Sequence, residues 1–283
     1  MCSSDLSNGR VRSRARSNFD SRNFITRKRR TGLNRSYCAA DRLLARLWRV
    51  FPSRRRLLHL EALMARILVI NPNSSAAVTQ VMDESLNALR FAGGPEVVSE
   101  YLREAPLGIE SQRDIDSVVL PLARKIAAGA ADAYVVACFS DPGLALARET
   151  TSSPVLGVAE SAYFTAIGLG RRFGVVSIGE RSIPRHLRYI RSLGLQDWLA
   201  GDISIHSDVT GLADFEHSIE RIVAVGLQLR DEKCADVLIL GCVGMSPYRA
   251  EVERQTGLPV IDPTQAAVAR AISYIALGCK PGL

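Results

Sequence analysis

From Ala65 onward, short apolar runs rich in branched residues alternate with longer segments whose apolar positions have helical spacing. The runs predict strands over residues 65–70, 95–102, 133–138, 154–159, 173–178, 202–207, 236–242 and 258–263. The segments between them predict helices over residues 74–91, 111–129, 142–150, 160–170, 182–194, 218–234 and 264–278. Because strands that are apolar along their whole length are buried on both faces, this pattern predicts an α/β fold with parallel sheets covered by helices.

The alternation of strands and helices occurs twice along the chain, and the two copies match approximately. LVINPNS near the start of this region and FGVVSIGERS in its middle both read as an apolar strand, a polar turn and a helix. Later in each copy an apolar run ends on a cysteine, in YVVACFS and in LILGCVG. The separation along the sequence is 68 residues from Ile70 to Cys138 and 64 residues from Ile178 to Cys242. Chance likeness between two α/β rounds is the alternative. We predict two similar Rossmann-like domains facing one another, with the division at residues 64–162 plus 263–283 and residues 163–262.

The net charge of +7 is unevenly distributed. Residues 1–63 hold 16 Lys and Arg against 4 Asp and Glu, and the rest of the chain holds 20 against 25. The first 63 residues therefore predict a basic, disordered N-terminal extension, with a targeting segment or a binding arm as alternatives and Met64 as a second candidate start of translation. The mildly acidic remainder lacks a basic-aromatic surface, so we expect no nucleic-acid partner.

No apolar run approaches the roughly 18 residues of a membrane span, so we expect no membrane partner. The six cysteines form no CxxC pair, and the four histidines lie at no metal-ligand spacing to them. We therefore expect no metal site, and reduced thiols in the cytoplasm.

Cys138 and Cys242 share one sequence context. Each ends a predicted strand, and each precedes a predicted helix start, at Asp141-Pro142 and at Ser246-Pro247. Ligands of open α/β sheets bind at the carboxyl ends of strands, and a helix N-terminus lowers the pKa of a nearby thiol. A buried structural cysteine is the alternative for each residue taken alone. Two thiols in one cleft suit removal of a proton from one face of a carbon and its return on the other, which requires no cofactor.

Four motifs in order, RILVINPNSSAAVTQ, VACFSDPGL, VLGVAESA and LGCVGM, resemble the aspartate/glutamate/hydantoin racemase superfamily, and its hydantoin racemase branch in particular. The resemblance covers about residues 65–279. It implies two α/β domains related by a pseudo-twofold axis, racemisation without a cofactor, a small-molecule substrate and a homo-oligomer. It also implies that Cys138 and Cys242 are the two bases and that Asn71, Asn73 and Ser74 belong to the substrate loop.

The residues beside the two thiols depart from the pattern of the amino-acid racemases. Those proteins carry Cys-Asn-Thr and Cys-Thr-His, whereas this chain has Cys138-Phe139-Ser140 and Cys242-Val243-Gly244. We expect Phe139, Ser140, Val243 and Gly244 to lie beside a neutral or weakly acidic ring, a 5-monosubstituted hydantoin or allantoin, whose amide groups Asn71 and Asn73 can pair. An amino-acid racemase, a cis-trans isomerase or decarboxylase of the superfamily, and a non-catalytic binding protein remain alternatives.

The second half of the chain offers a further candidate region. ERSIP at residues 180–184 occupies the turn that corresponds to NPNSS, so by symmetry it can line the pocket. The three arginines that follow, Arg181, Arg185 and Arg188, have the spacing of one helix face, which we interpret as a solvated face.

Overall fold

Two parallel sheets of four strands each form the framework of the described part of the chain. The computed structural model describes residues 65–207, 212 and 215–281, so the predicted extension over residues 1–63 lies outside the described residues. The strands of the first sheet are β1 (Arg66–Asn71), β2 (Glu96–Tyr101), β3 (Ala133–Val136) and β4 (Val155–Gly157). Those of the second are β5 (Phe173–Ser177), β6 (Leu199–Ser204), β7 (Val237–Leu240) and β8 (Val260–Ile261).

The two sheets have the same topology. Their strand orders are β2-β1-β3-β4 and β6-β5-β7-β8, and all the pairings are parallel. The predicted α/β fold with a repeated, parallel-sheet half is therefore confirmed. The boundaries proposed for two domains stay a prediction, because the described residues all belong to one compact unit.

Helices connect the strands. The α-helices are α1 (Ala76–Ser85), α2 (Gln112–Ala128), α3 (Leu144–Glu149), α4 (Val158–Ile167), α5 (Ile183–Ser192), α6 (Phe215–Asp231), α7 (Arg249–Thr256) and α8 (Pro263–Leu277). Side chains cap several of them at the N-terminus: the Ser75 hydroxyl accepts from the Val78 N–H at 3.2 Å, and Ser111 and Asp114 form a capping box on α2. A 3₁₀ helix over Val243–Tyr248 precedes α7.

The core that joins the two halves is built around α4. Tyr163 on this helix stacks on Phe173 of the second sheet, with ring centroids 5.5 Å apart. The same buried cluster contains Phe139 from the first half and Val237 and Ile239 from β7. Full burial of such side chains stabilises the fold by about 1.5–3 kcal/mol each. The packing of α4 therefore fixes how the carboxyl ends of the two sheets face one another.

No helix among these described residues is both long enough and apolar enough to cross a membrane.

Candidate active site

The two cysteines singled out in the sequence lie at equivalent places in the two halves. The strands β3 and β7 end at Val136 and Leu240, so each cysteine lies two residues beyond its strand. The prediction that each cysteine is the last residue of its strand is therefore wrong. The backbone then turns in the same way twice: the carbonyls of Cys138 and Cys242 accept the N–H groups of Asp141 and Met245, at 2.9 and 3.0 Å. Each turn follows directly after a strand whose residues are all buried.

Both thiols line one cavity of about 50 Å³, and both are free thiols that keep part of their surface exposed. The lining residues are Asn73, Val78, Ile109, Ala137, Cys138, Phe139, Ser140, Ile178, Ser182, Arg185, His186, Gly241, Cys242 and Val243. This cavity adjoins one of about 350 Å³, with which it shares Ile109, Ile178, Ser182 and Arg185. The two together are the candidate active site.

The turn after Cys138 differs from the predicted helix start. The helix α3 begins only at Leu144, after Gly143 in the left-handed conformation (φ 65°), so Asp141 is not its N-cap. The Asp141 carboxylate instead accepts the N–H groups of Ala159 and Glu160, at 3.0 and 2.9 Å, and so caps α4. The physical reason is that the first turn of α4 lies beside this loop in space, although it is 18 residues away in sequence.

The turn after Cys242 leads directly into a 3₁₀ helix, in which Cys242 is the N-cap. The predicted N-cap Ser246 lies inside that helix, where its hydroxyl donates to the carbonyl of Val243 at 2.8 Å. Gly241 precedes the thiol at a position where a Cβ atom would lie 2.8 Å from the Val176 carbonyl oxygen. A glycine is therefore required for the close approach of this loop to β5.

The expectation that the helix starts lower the pKa of the thiols is wrong. Burial raises the pKa of Cys138 to about 12 and that of Cys242 to about 11. The backbone N–H groups of Ser140 and Gly244 act in the opposite direction, because they donate to the thiols, but this effect is smaller than that of desolvation. Burial therefore favours the protonated form of both thiols.

The residues of the Asn-Pro-Asn-Ser loop, all expected to bind substrate, differ in whether they line the cavity. Asn73 lines the thiol cavity, and its Oδ1 accepts from the Asn71 amide at 2.8 Å and from the Ser75 N–H at 2.9 Å. Asn71 is fully buried, and its amide also donates to the Thr79 hydroxyl at 2.9 Å. Ser74 is half-buried and donates its N–H to the Pro106 carbonyl. Asn73 is thus the loop side chain that reaches the cavity, and Asn71 holds it there.

The four neighbours of the thiols are also placed differently from one another. Phe139, Ser140 and Val243 line the cavity, whereas Gly244 does not and offers its N–H to Cys242. Phe139 contacts His186 edge to face, with ring centroids 5.1 Å apart.

Two polar residues of the cavity had not been predicted to line it: His186 was missed, and Arg185 was assigned to solvent. Ser182 of the ERSIP segment lines it, in agreement with the symmetry between the halves, as does the buried His186. Arg185 also lines it, whereas Arg181 and Arg188 are exposed, so the expected solvated face is wrong for Arg185. Spacing along α5 cannot separate these arginines, because the side of the helix that faces the cleft depends on tertiary packing.

A buried polar cluster supports the cavity wall at His186. Its Nδ1 lies 2.8 Å from Asp202 Oδ2, and both side chains are almost fully buried. The Ser177 hydroxyl donates to the same carboxylate. No group of three or more potential metal ligands occurs within the described residues.

Comparison with known proteins identifies the family. Residues 67–271 match the model of the Asp/Glu/Hydantoin racemase family. A hydantoin racemase of Pseudomonas sp. (strain NS671) is 32% identical over 222 residues, which cover 76% of this chain and 88% of that protein. A second hydantoin racemase, from Paenarthrobacter aurescens, is 33% identical over 75% of this chain and 92% of its own length.

Among solved structures, an allantoin racemase from Klebsiella pneumoniae superimposes with a TM-score of 0.74 at 30% identity and covers 77% of this chain and 90% of its own. The family match spans well over half of the chain and includes both cysteine loops. The chain therefore belongs to the Asp/Glu/Hydantoin racemase family.

Proposed function

We propose that this racemase-family enzyme inverts the stereocentre of a five-membered cyclic ureide, a 5-monosubstituted hydantoin or allantoin, with Cys138 and Cys242 as the two proton-transferring groups. The observation that carries the proposal is that one thiol from each half lines the same cavity. The relatives named hydantoin racemase and the allantoin racemase structure support the substrate class.

The chemistry follows from the positions of the groups. The hydrogen on C5 is acidified by the adjacent ring carbonyl, and its removal gives an enolate. One cysteine first releases its own proton to solvent, against the effect of burial, and as thiolate takes the C5 proton. The thiol of the other cysteine gives its proton to the opposite face of C5. Each positioned acid or base of this kind contributes about 10²–10⁴-fold to a rate. At the end of one turnover the protonation states of the two cysteines are exchanged, so the enzyme is ready for the opposite enantiomer.

Donors for the developing enolate oxygen are available in the same cavity. The Oδ1 of Asn73 is occupied by Asn71 and Ser75, which leaves its amide Nδ2 to face a ligand. A donor that meets charge formed only in the transition state is worth about 10²–10³-fold in turnover. We assign Asn73 to this role and Asn71 to positioning it.

The alternatives within the family are less well supported by the site. A free amino acid carries both an ammonium and a carboxylate group, yet the cysteine neighbours Phe139 and Val243 are apolar and buried. A decarboxylase needs a single proton donor, whereas this site holds two thiols. The remaining expectations, a cytoplasmic location and a homo-oligomer, are proposals that fractionation and light scattering test.

Solvent deuterium exchange tests the function directly. The full-length enzyme is incubated in heavy water with one enantiomer of a 5-substituted hydantoin, and separately with one enantiomer of allantoin, while optical rotation and deuterium at the stereocentre are followed. We expect loss of optical rotation with deuterium uptake for at least one ring, and loss of both signals in Cys138→Ala and Cys242→Ala. Retained turnover in either variant would exclude the two-cysteine mechanism, and no exchange with any ring would exclude the substrate class.

A further inference from the structure

His186 belongs to the wall of the thiol cavity and has no part in the proton transfer proposed above. It lies on α5, and its side chain is 2% exposed. The same side chain lines a neighbouring cavity of about 590 Å³, which shares Phe139, Ser140 and Arg185 with the thiol cavity. The imidazole ring therefore lies at the junction of two cavities, where it can contact a ligand.

Asp202 and Ser177 determine which nitrogen of the imidazole carries its hydrogen. Nδ1 of His186 lies 2.8 Å from Asp202 Oδ2 and 3.2 Å from Ser177 Oγ, and the Ser177 hydroxyl donates its own hydrogen to the Asp202 carboxylate. Both oxygens are therefore acceptors toward Nδ1, because a carboxylate has no hydrogen and the hydroxyl has already given its one. The neutral ring then has its hydrogen on Nδ1 and a lone pair on Nε2.

The second ring nitrogen, Nε2, has no partner within the protein. It forms no hydrogen bond with any described residue, and the six buried side-chain atoms that lack a partner in this part of the chain belong to other residues. Nε2 is therefore accessible at the cavity wall. The ring is also held in place by Phe139, which contacts it edge to face with ring centroids 5.1 Å apart.

The thiol cavity offers several donors but few acceptors. Arg185 has only donors, the unused amide group of Asn73 is a donor, and no Asp or Glu lines this cavity. The hydroxyls of Ser140 and Ser182 are weaker acceptors than an imidazole nitrogen, which makes Nε2 of His186 the strongest acceptor among the lining side chains. A cyclic ureide has two ring N–H groups, and burial of an N–H without an acceptor is unfavourable.

We propose that His186 binds the substrate ring, with Nε2 accepting a hydrogen bond from a ring N–H of the cyclic ureide while the Asp202 carboxylate holds the imidazole in the required tautomer. The contact recognises the ring itself and not the substituent on C5. This inference rests on the proposed function for the identity of the ligand. The proton transfer at C5 stays with the two thiols.

Binding of an achiral ring tests the contact without turnover. The full-length protein is titrated with hydantoin, 1-methylhydantoin and 3-methylhydantoin, and ligand-observed NMR gives the Kd of each for the wild type and for His186→Asn. The asparagine amide can still donate to Asp202 from the place of Nδ1, but it presents nothing at the place of Nε2. We expect hydantoin to bind this variant about 10-fold more weakly. The methyl group that blocks the paired N–H should weaken binding to the wild type and cost little further in the variant.

His217→Asn is the matched control, because it makes the same change in an exposed residue of α6 that lines none of these cavities. It should bind all three rings as the wild type does. Circular dichroism shows whether each variant is folded. Nitrogen-15 NMR of the wild type gives a readout that needs no substitution: once the ring signals of His186 are assigned, Nδ1 should carry a hydrogen and Nε2 should carry none.

A hydrogen on Nε2 in the wild type would overturn the inference, as would hydantoin binding that is absent from the wild type or unchanged in His186→Asn. Equal effects of both methyl groups in the wild type and the variant would also overturn it. Racemisation with deuterium uptake alongside any of these results would remove His186 from ring binding and leave the proposed function standing. Coupling between His186 and one methyl group without any deuterium exchange would keep the ring contact and exclude the racemase.

Discussion

The carboxylate of Asp141 occupies the space into which a Cβ atom on Gly157 would project. An added methyl group would overlap the carboxyl carbon and oxygens of Asp141, although the backbone of Gly157 (φ −85°) accepts any residue. The absence of a side chain at residue 157 therefore allows the loop that follows Cys138 to reach the N-terminus of α4.

Gly157→Ala should destabilise the protein by about 1–2 kcal/mol, because the Asp141 cap on α4 is lost. Urea unfolding measures the change. The matched control is Gly168→Ala, at a helix end with φ −81°, where an added Cβ meets the Thr165 and Phe164 carbonyl oxygens at the ordinary contact distances of 3.4 and 3.9 Å. The free energy of unfolding of this control should change by no more than about 0.5 kcal/mol. Equal unfolding midpoints for the two variants would contradict the proposed crowding.

The stability of the wild type should fall as the pH rises from 4 to 7, relative to that of Asp141→Asn. Burial raises the pKa of the Asp141 carboxyl from 3.8 to about 7. Over this interval the unfolded chain releases the proton and the folded chain keeps it, so ionisation favours unfolding; above pH 7 both forms are ionised and the difference is constant. The difference in free energy of unfolding between the two proteins should change by about 1–4 kcal/mol. Parallel pH profiles would show that Asp141 is ionised in the fold.

Asp202→Ala should destabilise the protein by about 2–6 kcal/mol, because it leaves His186 and the Ser177 hydroxyl buried without their acceptor, at about 1–3 kcal/mol for each group. Thermal or urea unfolding measures this. Glu180→Ala is the control, since Glu180 lies 3.5 Å from His206 in a pair whose side chains are 72% and 69% exposed. Exposed pairs contribute little, so this variant should match the wild type. A similar effect of both substitutions would argue against the structural role of the buried pair.

Asn73→Asp should reduce kcat/KM for the ureide by about 10²-fold with little loss of stability. The substitution keeps an oxygen facing Asn71 and Ser75 and removes the amide that faces the cavity. Asn71→Asp removes the donors to Asn73 and Thr79, both buried, and should lower stability as well as activity. Steady-state kinetics and urea unfolding of the two variants distinguish a residue that contacts the substrate from one that positions it. Unchanged kinetics in Asn73→Asp would remove Asn73 from the site.

The sequence was sufficient for the layers of the fold but not for the details of the loops. Apolar runs overlapped all eight strands, although β6 begins at Leu199, three residues before the run that predicted it. The matched cysteines marked two equivalent loops. Burial of both sheet faces leaves a direct pattern in the sequence. The cap that Asp141 places on α4 joins residues 18 positions apart, and no local rule relates them. The local dipeptides Asp141-Pro142 and Ser246-Pro247 instead indicated helix starts that the chain does not use.

The electrostatics of the site were the least predictable part. The sign of the pKa shift at Cys138 and Cys242 depends on how much water the surrounding side chains exclude, which spacing along the chain does not record. The same holds for Arg185, whose neighbours Arg181 and Arg188 on the same helix remain in solvent. Only the packing of α5 against the cleft separates the three.

The stack of Tyr163 on Phe173 has a consequence for the proposed chemistry. One thiol belongs to each half, so the gap that a substrate carbon must bridge is a tertiary quantity, set by how the halves dock and not by either cysteine loop. The aromatic core under α4 fixes that docking. Stereochemical inversion is then sensitive to the volume of side chains that never contact the substrate, and neither half can perform it alone.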